Sequence, residues 1–397
     1  TAFVKPTDEF EPYLRGFIRS YTSDSQKNFS NVASLCDRYL SKTIRCGGRK
    51  IMPSAPELEA LKLNRNTKIQ RIFLPGDHTK SIKVNAVTVV LDVVKDICTK
   101  MGVANFDEYG VFINTGPEQS TPLQSYDYML DTTTILERRK IPYRIYVKKT
   151  LWFAPITLEN PLHTSLLYEQ VLFDYLCGNL LNMSMGTVPA TWLKNDIALL
   201  AALQHQASPS ASQSLQDAPV SLLQKYVPTI LYRLLQPDEW RACTVAQHPN
   251  VAKLQSVEAR RAFMEIIIKL FPLYGSCFFH VNSCSDPRVQ GDCVMAVSKN
   301  GVSFLESTTK NVIMSYTFNE IVSTRRLGSR ASGKHFVDLK VGNLMVQKVT
   351  RCESQQGLEI TTLISAYIQK HLVEQQQREL VESKLAASAS QDDLSGY

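Results

Sequence analysis

A chain of 397 residues exceeds what one hydrophobic core normally organises, so two to four domains are expected. Apolar residues at 44% and charged residues at 20% are the proportions of folded globular protein and exclude wholesale disorder. The net charge of +7 is modest for this length; it argues against a dedicated nucleic-acid binder and leaves room for attraction to acidic surfaces. No stretch reaches the roughly 18 apolar residues of a membrane span, because Glu265 and Lys269 interrupt the longest run, 264–273. The opening TAFVKPTDEF lacks the basic-then-apolar signature of a secretory signal and an initiator Met, and reads as the start of a piece of a larger protein. The nine cysteines show no small-scaffold spacing. Most sit in apolar patterns such as Ile97-Cys98 and Leu176-Cys177, which fits reduced thiols acting as small hydrophobes in an intracellular setting.

In chain order, residues 11–21 and 30–44 carry apolar side chains at helical spacing: Tyr13, Leu14, Phe17 and Ile18, then Val32, Leu35, Cys36, Tyr39 and Leu40. Asn28 and Ser30 suit the cap of the second helix, Gly47-Gly48 ends it, and a short helix follows over 57–63. These helices hold more apolar surface than they can bury among themselves. The pattern changes near residue 66. Short β-type runs at 68–74 and 80–84 flank the turn Pro75-Gly76-Asp77, and 89–101 is helical with Val90, Val93, Val94, Ile97, Cys98 and Met101 in one stripe. Runs at 109–113 and 144–147 add strands, which together predict a sheet packed on one helix. Helices are expected over 164–176, 189–204, 220–235 and 254–271, with a Ser-, Ala- and Gln-rich mobile loop at 205–218. Seven strands follow, at 277–281, 293–297, 302–305, 312–318, 321–327, 336–341 and 344–349. A helix over 358–372 closes the order, burying Ile360, Leu363, Ile364, Tyr367, Ile368 and Leu372, and the polar tail after Glu374 is expected to fray.

Local sequence carries a resemblance. Residues 197–204 (IALLAALQ) are similar to a helix of the second FERM lobe, Tyr226-Val227-Pro228 and Trp240 fit the helices that follow, and 271–279 (FPLYGSCFF) resemble the junction into the third lobe. Upstream, 49–60 (RKIMPSAPELEA) resembles the end of a myosin tail homology 4 (MyTH4) domain. The combination resembles the tails of unconventional myosins, with plant-type kinesins and pleckstrin-homology adaptors as rarer carriers. It implies a multi-domain α+β chain: the last MyTH4 helices at 1–66, a ubiquitin-like lobe at 67–150, an acyl-CoA-binding-protein-like helical lobe at 151–274, a pleckstrin-homology/phosphotyrosine-binding-like lobe at 275–373 and a flexible tail at 374–397. It also implies a non-catalytic, cytoplasmic, cytoskeleton-associated module that carries cargo. No motor domain, lever-arm repeat or coiled coil lies in these residues.

Enzyme-like motifs are weak by comparison, and no cofactor is expected. Gly328-Ser-Arg-Ala-Ser-Gly333-Lys334 nearly matches a phosphate-cradling loop, but His335 replaces the required Ser or Thr, and strand-like alternation follows instead of a helix. Cys277, His280, Cys284 and Cys293 are ligand types that zinc accepts, without a Cys-x-x-Cys pair. Cys277 and His280, three apart on a strand, point to opposite faces. No cysteine is followed by Arg six positions later, which sets aside the FERM-bearing tyrosine phosphatases.

Two surfaces are better candidates. Arg38, Lys42, Arg45, Arg49 and Lys50 gather cations at a helix end, either as a solvated flank or as an electrostatic dock; the resemblance implies microtubules as the acidic partner. The second is a peptide groove between the strand holding Ile321, Val322, Ser323, Thr324, Arg325 and Arg326 and the helix face of Leu358, Thr361, Thr362 and Ser365. Arg325, Arg326, Arg330 and Lys334 would rim it, either for an acidic, apolar peptide tail of a membrane or adaptor protein or merely to protect the strand edge. Anionic lipid is the competing ligand, as for a membrane-apposed scaffold reading phosphoinositides.

Overall fold

The computed structural model describes residues 2–22, 29–63, 65–116, 119–181, 191–209, 220–328, 333–343 and 345–392. They form two compact units, 1–148 and 149–397. No helix among the described residues is long and apolar enough to cross a membrane.

The first unit starts with α1 (Glu11–Thr22), α2 (Ser30–Cys46) and α3 (Ala55–Lys62). The expected apolar stripe of α1 and α2 is only partly covered: Ile18, Tyr39 and Leu40 are buried, whereas Tyr13 and Phe17 stay 76% and 64% exposed. Three helices this short cannot enclose both faces of such a stripe. Ser30 is not a cap; it opens the helix, and Phe29 holds the cap position without a side-chain bond. Asn28 lies outside the described residues. Ser54 caps α3 by accepting the Glu57 N–H at 3.3 Å.

A five-stranded sheet of order β2-β1-β5-β3-β4 follows, built from β1 (Lys68–Phe73), β2 (Thr79–Val84), β3 (Tyr109–Gly116), β4 (Gln119–Pro122) and β5 (Arg144–Lys149). The turn from β1 to β2 is made by Gly76 and Asp77, both at positive φ. Helix α4 (Val90–Met101) buries all six residues of its stripe. The Asp92 carboxylate accepts the Val89 N–H at 3.0 Å and fixes its start. Strand β4 and helix α5 (Met129–Arg138) were not anticipated, because both are short and α5 carries three threonines in a row that break the apolar period.

Among the described residues the second unit opens with six helices: α6 (Pro161–Leu176), α7 (Thr191–Ala207), α8 (Val220–Leu223), α9 (Thr229–Tyr232), α10 (Pro237–Val251) and α11 (Ser256–Leu270). Asn160 caps α6 by accepting the Leu162 and His163 N–H groups, each at 3.1 Å. The helix expected over 220–235 is two short pieces, since Pro228 lacks the N–H that a continuous helix needs. Residues 205–207 of the expected loop belong to α7, with His205 fully buried; 210–218 lie outside the described residues. Trp240, Tyr175 and Phe263 anchor this core. Gly275 turns the chain into the strands with φ +76°, and a Cβ there would stand 3.0 Å from the Trp152 Cβ, so the position needs glycine.

Two four-stranded sheets, β10-β9-β8-β6 and β11-β12-β13-β7, then face each other across a shared core. Their strands are β6 (Cys277–Val281), β7 (Ser283–Cys284), β8 (Cys293–Ser298), β9 (Gly301–Glu306), β10 (Val312–Tyr316), β11 (Ile321–Gly328), β12 (His335–Gly342) and β13 (Gln347–Glu353). The last strand was expected at 344–349 and begins at Gln347 instead. Asn343 accepts the Met345 and Val346 N–H groups, each at 2.9 Å, and so holds a turn there. Leu344 lies outside the described residues.

Helix α12 (Gly357–Asp392) closes the unit. Ile360, Leu363, Ile364 and Tyr367 are buried against both sheets. The Tyr367 hydroxyl accepts the Trp152 N–H at 3.0 Å, and its ring stacks on Phe318. Leu372 is exposed rather than buried, and the helix does not stop there. Residues 373–392 contain neither Gly nor Pro and are mostly strong helix formers, so nothing ends the helix locally.

Candidate functional site

Strand β11 ends its sheet, and α12 packs along it. An edge strand of this kind offers backbone donors and acceptors to another chain. Its register against β12 decides where each side chain points. Thr324 and Arg326 lie opposite the buried Leu339 and Val337, while Ser323 and Arg325 lie opposite Lys340 and Asp338. Side chains alternate across a strand, so Arg326 turns toward the helix and Arg325 toward the outer face. The start of α12 confirms this: a Cβ on Gly357 would meet the Arg326 Cγ at 3.5 Å and the Val337 Cγ2 at 3.2 Å.

The side of β11 that faces α12 therefore carries Thr324 and Arg326. A register irregularity between Ile321 and Ser323 leaves Val322 48% exposed, while Ile321 is buried in the core. From the helix come half-buried Leu358 and Thr361 with exposed Thr362 and Ser365. The Thr361 hydroxyl donates to the Gly357 carbonyl at 2.9 Å.

The expected basic rim is corrected on two counts. Arg325 faces away, beside an Asp338 carboxylate that Arg351 grips at 2.7 and 2.9 Å, which holds that carboxyl below its ordinary pKa. Lys334 donates to Glu353 at 3.0 Å. Arg330 lies outside the described residues. Among the described residues, Arg326 is the cation on the expected rim that turns toward α12. The glycine-rich segment 328–334 runs into β12, not into a helix, and its residues 329–332 also lie outside the described residues.

The second surface is corrected too. The Arg49 side chain has no exposure; its guanidinium donates to Glu57 and, at 2.8 Å, to Asp131, and it lies over the Phe3 ring. Burial opposes its charge, but the hydrogen bonds it donates to both carboxylates outweigh that and keep its pKa above the ordinary value. Lys42 is 2.6 Å from Asp92. Arg38, Arg45 and Lys50 remain exposed. A 380 Å³ cleft beside Arg38 and Lys42 also carries Lys83 and the carboxylates Asp92 and Asp96, so acidic groups offset part of its positive charge.

The zinc-type residues form no metal-ligand group among the described residues. His280 is exposed and 3.5 Å from Asp292, and the Cys277 thiol donates to the Thr150 carbonyl at 3.3 Å. Cys284 instead sits beside Cys352. Sequence reasoning also missed Asp286, whose side chain is fully buried. It accepts from the Arg288 backbone and guanidinium and from Lys348, which hold its carboxyl well below the ordinary range, the Arg288 hydrogen bonds contributing most. The Asp-Pro-Arg turn at 286–288 was the available signal.

Family models match along the chain: the MyTH4 domain at residues 1–60, an RA like domain at 66–151, the FERM central domain at 155–279 and the PTB domain (IRS-1 type) at 279–372. Human unconventional myosin-XV is 30% identical over 383 residues, covering 95% of this chain and 11% of the myosin. Mouse unconventional myosin-VIIb is 25% identical over 391 residues, covering 94% of this chain and 17% of the myosin. The chain thus spans a small part of either relative. A solved structure of the human myosin 7b C-terminal MyTH4-FERM domain, in complex with harmonin-a PDZ3 domain, shares the fold with a TM-score of 0.71 at 24% identity, covering 94% of this chain and 73% of that one. The motifs at 49–60, 197–204 and 271–279, the order of the lobes and these matches agree: the chain belongs to the MyTH4-FERM tail modules of unconventional myosins.

Proposed function

We propose that this chain is a non-catalytic cargo-recognition module whose third lobe takes an extended, acidic and apolar peptide between β11 and α12. The observation that supports this reading is the terminal position of β11 in its sheet beside α12, with Val322, Thr362 and Ser365 exposed and Arg326 turned inward. A peptide added to β11 gains main-chain hydrogen bonds, and alternate side chains reach the helix. Arg326 at the head of the helix suits a carboxylate in the ligand. Cytoplasmic tails of membrane or adaptor proteins have this chemistry.

The opposed directions of the two arginines supply the test. Fluorescence anisotropy with a labelled library of short acidic, apolar peptides should select binders that Arg326→Glu weakens about tenfold or more, the loss of one charged contact. Arg325→Glu, on the outer face, should change affinity less than about twofold, within the range of exposed pairs. Equal effects from the two substitutions would refute the groove. Loss of binding to anionic vesicles in Arg326→Glu, with peptide affinity intact, would favour the membrane-scaffold reading.

The exposed pair Arg38 and Arg45, seven residues apart and thus two turns along one helix face, supports a second contact with an acidic surface such as a microtubule. Reversing both charges should lower microtubule cosedimentation severalfold at low salt and matter little at high salt. Unchanged pelleting at low salt removes this contact.

A further inference from the structure

Strand β7 is two residues long and sits at the end of its sheet, beside β13. In register Cys284 lies opposite Cys352, their sulfurs are 4.0 Å apart, and both thiols are free. One step along, the Ser285 N–H donates to the Arg351 carbonyl at 2.8 Å. Antiparallel pairs alternate, so Cys284 and Cys352 form the non-hydrogen-bonded kind, with Cα atoms about 4.5 Å apart. Disulfides accept Cα separations of about 4.4–6.8 Å, so side-chain rotation can bring the sulfurs into bonding range.

The two thiols differ in what surrounds them. Cys284 is half-buried; Cys352 is fully buried in the core between the sheets. The Cys352 S–H donates to the Cys284 sulfur, and so does the Asp286 backbone N–H. Against burial and the Asp286 carboxylate, and with help from Lys348, these donors lower the Cys284 thiol to about 7. Cys352 is pushed well up by the same hydrogen bond and by burial, and the third nearby sulfur, buried Cys293, rises to about 12. An accessible, acidic thiol beside a buried one is the arrangement of a reactive cysteine with its resolving partner.

We propose that Cys284 and Cys352 are a hydroperoxide-oxidised pair that closes a cross-strand disulfide, stapling β7 to β13. The Cys284 thiolate attacks the peroxide: a sulfur–oxygen bond forms, the oxygen–oxygen bond breaks, and the departing oxygen takes a proton to leave as water or alcohol. The Cys352 sulfur then attacks the resulting sulfenic acid. The sulfur–sulfur bond forms, the sulfur–oxygen bond breaks, and hydroxide leaves with the Cys352 proton as water. Two thiols lose two protons and two electrons, and the peroxide receives them. The staple restrains the turn that carries Asp286.

The test exposes the full chain to stoichiometric hydrogen peroxide, alkylates the remaining thiols and maps disulfides by mass spectrometry without reduction. The expected product is a Cys284–Cys352 linked peptide pair, two hydrogens lighter than the thiols and reversed by dithiothreitol. It should form before oxidation at exposed Cys177, with a rate that rises through about pH 7. Cys284→Ser should abolish the link, and Cys352→Ser should leave a dimedone-reactive sulfenic acid on Cys284. A link from Cys284 to Cys293, or oxidation of Cys177 while Cys284 and Cys352 remain alkylatable, would overturn the proposal; both are read on the unmutated chain, whatever the variants do to folding.

Discussion

Replacing Arg49 with alanine is expected to destabilise the first unit by about 3–5 kcal/mol, the usual cost of leaving one side of a buried ion pair uncompensated. The side chain is fully enclosed, and its partners Glu57 and Asp131 are only 14% and 12% exposed. Those partners come from α3 and α5, so one guanidinium ties the terminal MyTH4 helices to the ubiquitin-like sheet lobe. The Asp131 carboxylate also accepts the Lys50 N–H at 2.7 Å, which holds the segment leading into α3 against α5. All three tryptophans lie beyond residue 148, so the change should appear in circular dichroism and in faster proteolysis within 1–148 while tryptophan fluorescence holds. Adding Glu57→Gln and Asp131→Asn to the alanine variant should recover part of the loss by removing the stranded charges. A loss below about 1 kcal/mol, the range of exposed ion pairs, would show that water reaches this site.

Tyr367→Ala should cost the second unit a similar amount, about 3–5 kcal/mol for a fully buried aromatic ring. Its ring stacks on Phe318 at 5.5 Å between centroids, and its hydroxyl accepts the Trp152 N–H. This side chain seats α12 on the sheets and thereby sets the far wall of the proposed groove. Tyr367→Phe keeps the packing and deprives a buried N–H of its acceptor, which costs about 1–3 kcal/mol. Tryptophan-monitored denaturation should rank the variants in that order. Equal losses for alanine and phenylalanine would place the stabilisation in the hydrogen bond, against the packing argument.

Periodicity made much of this fold legible. The six-residue stripe of α4 and the buried run from Ile360 to Tyr367 emerge in the structure as the spacing predicts, because amphipathic spacing reports a helix that faces one core. Other features are written in the sequence as single residues, present or absent, that the apolar period masks. Pro228 interrupts 220–235, Asn343 can hold a turn, and 373–392 lacks any helix breaker. The strand period of two separates Arg325 from Arg326, yet counting cations over a segment merges them.

What pattern could not supply was the identity of distant partners. Arg49 meets Asp131 across 82 residues, and Cys284 meets Cys352 across 68. Local spacing gives such side chains the appearance of a basic surface patch and of isolated small hydrophobes. Only the register of β7 against β13 and the packing of α3 and α5 reassign them.

Amide hydrogen exchange of the full chain, with and without a selected acidic, apolar peptide, tests the groove most directly. An added strand should slow exchange in residues 321–328 and along the first turns of α12, 358–365, while the outer strand β7 and the α2 surface stay unchanged. Protection confined to another lobe, or bound peptide that leaves β11 exchanging at its free rate, would contradict it.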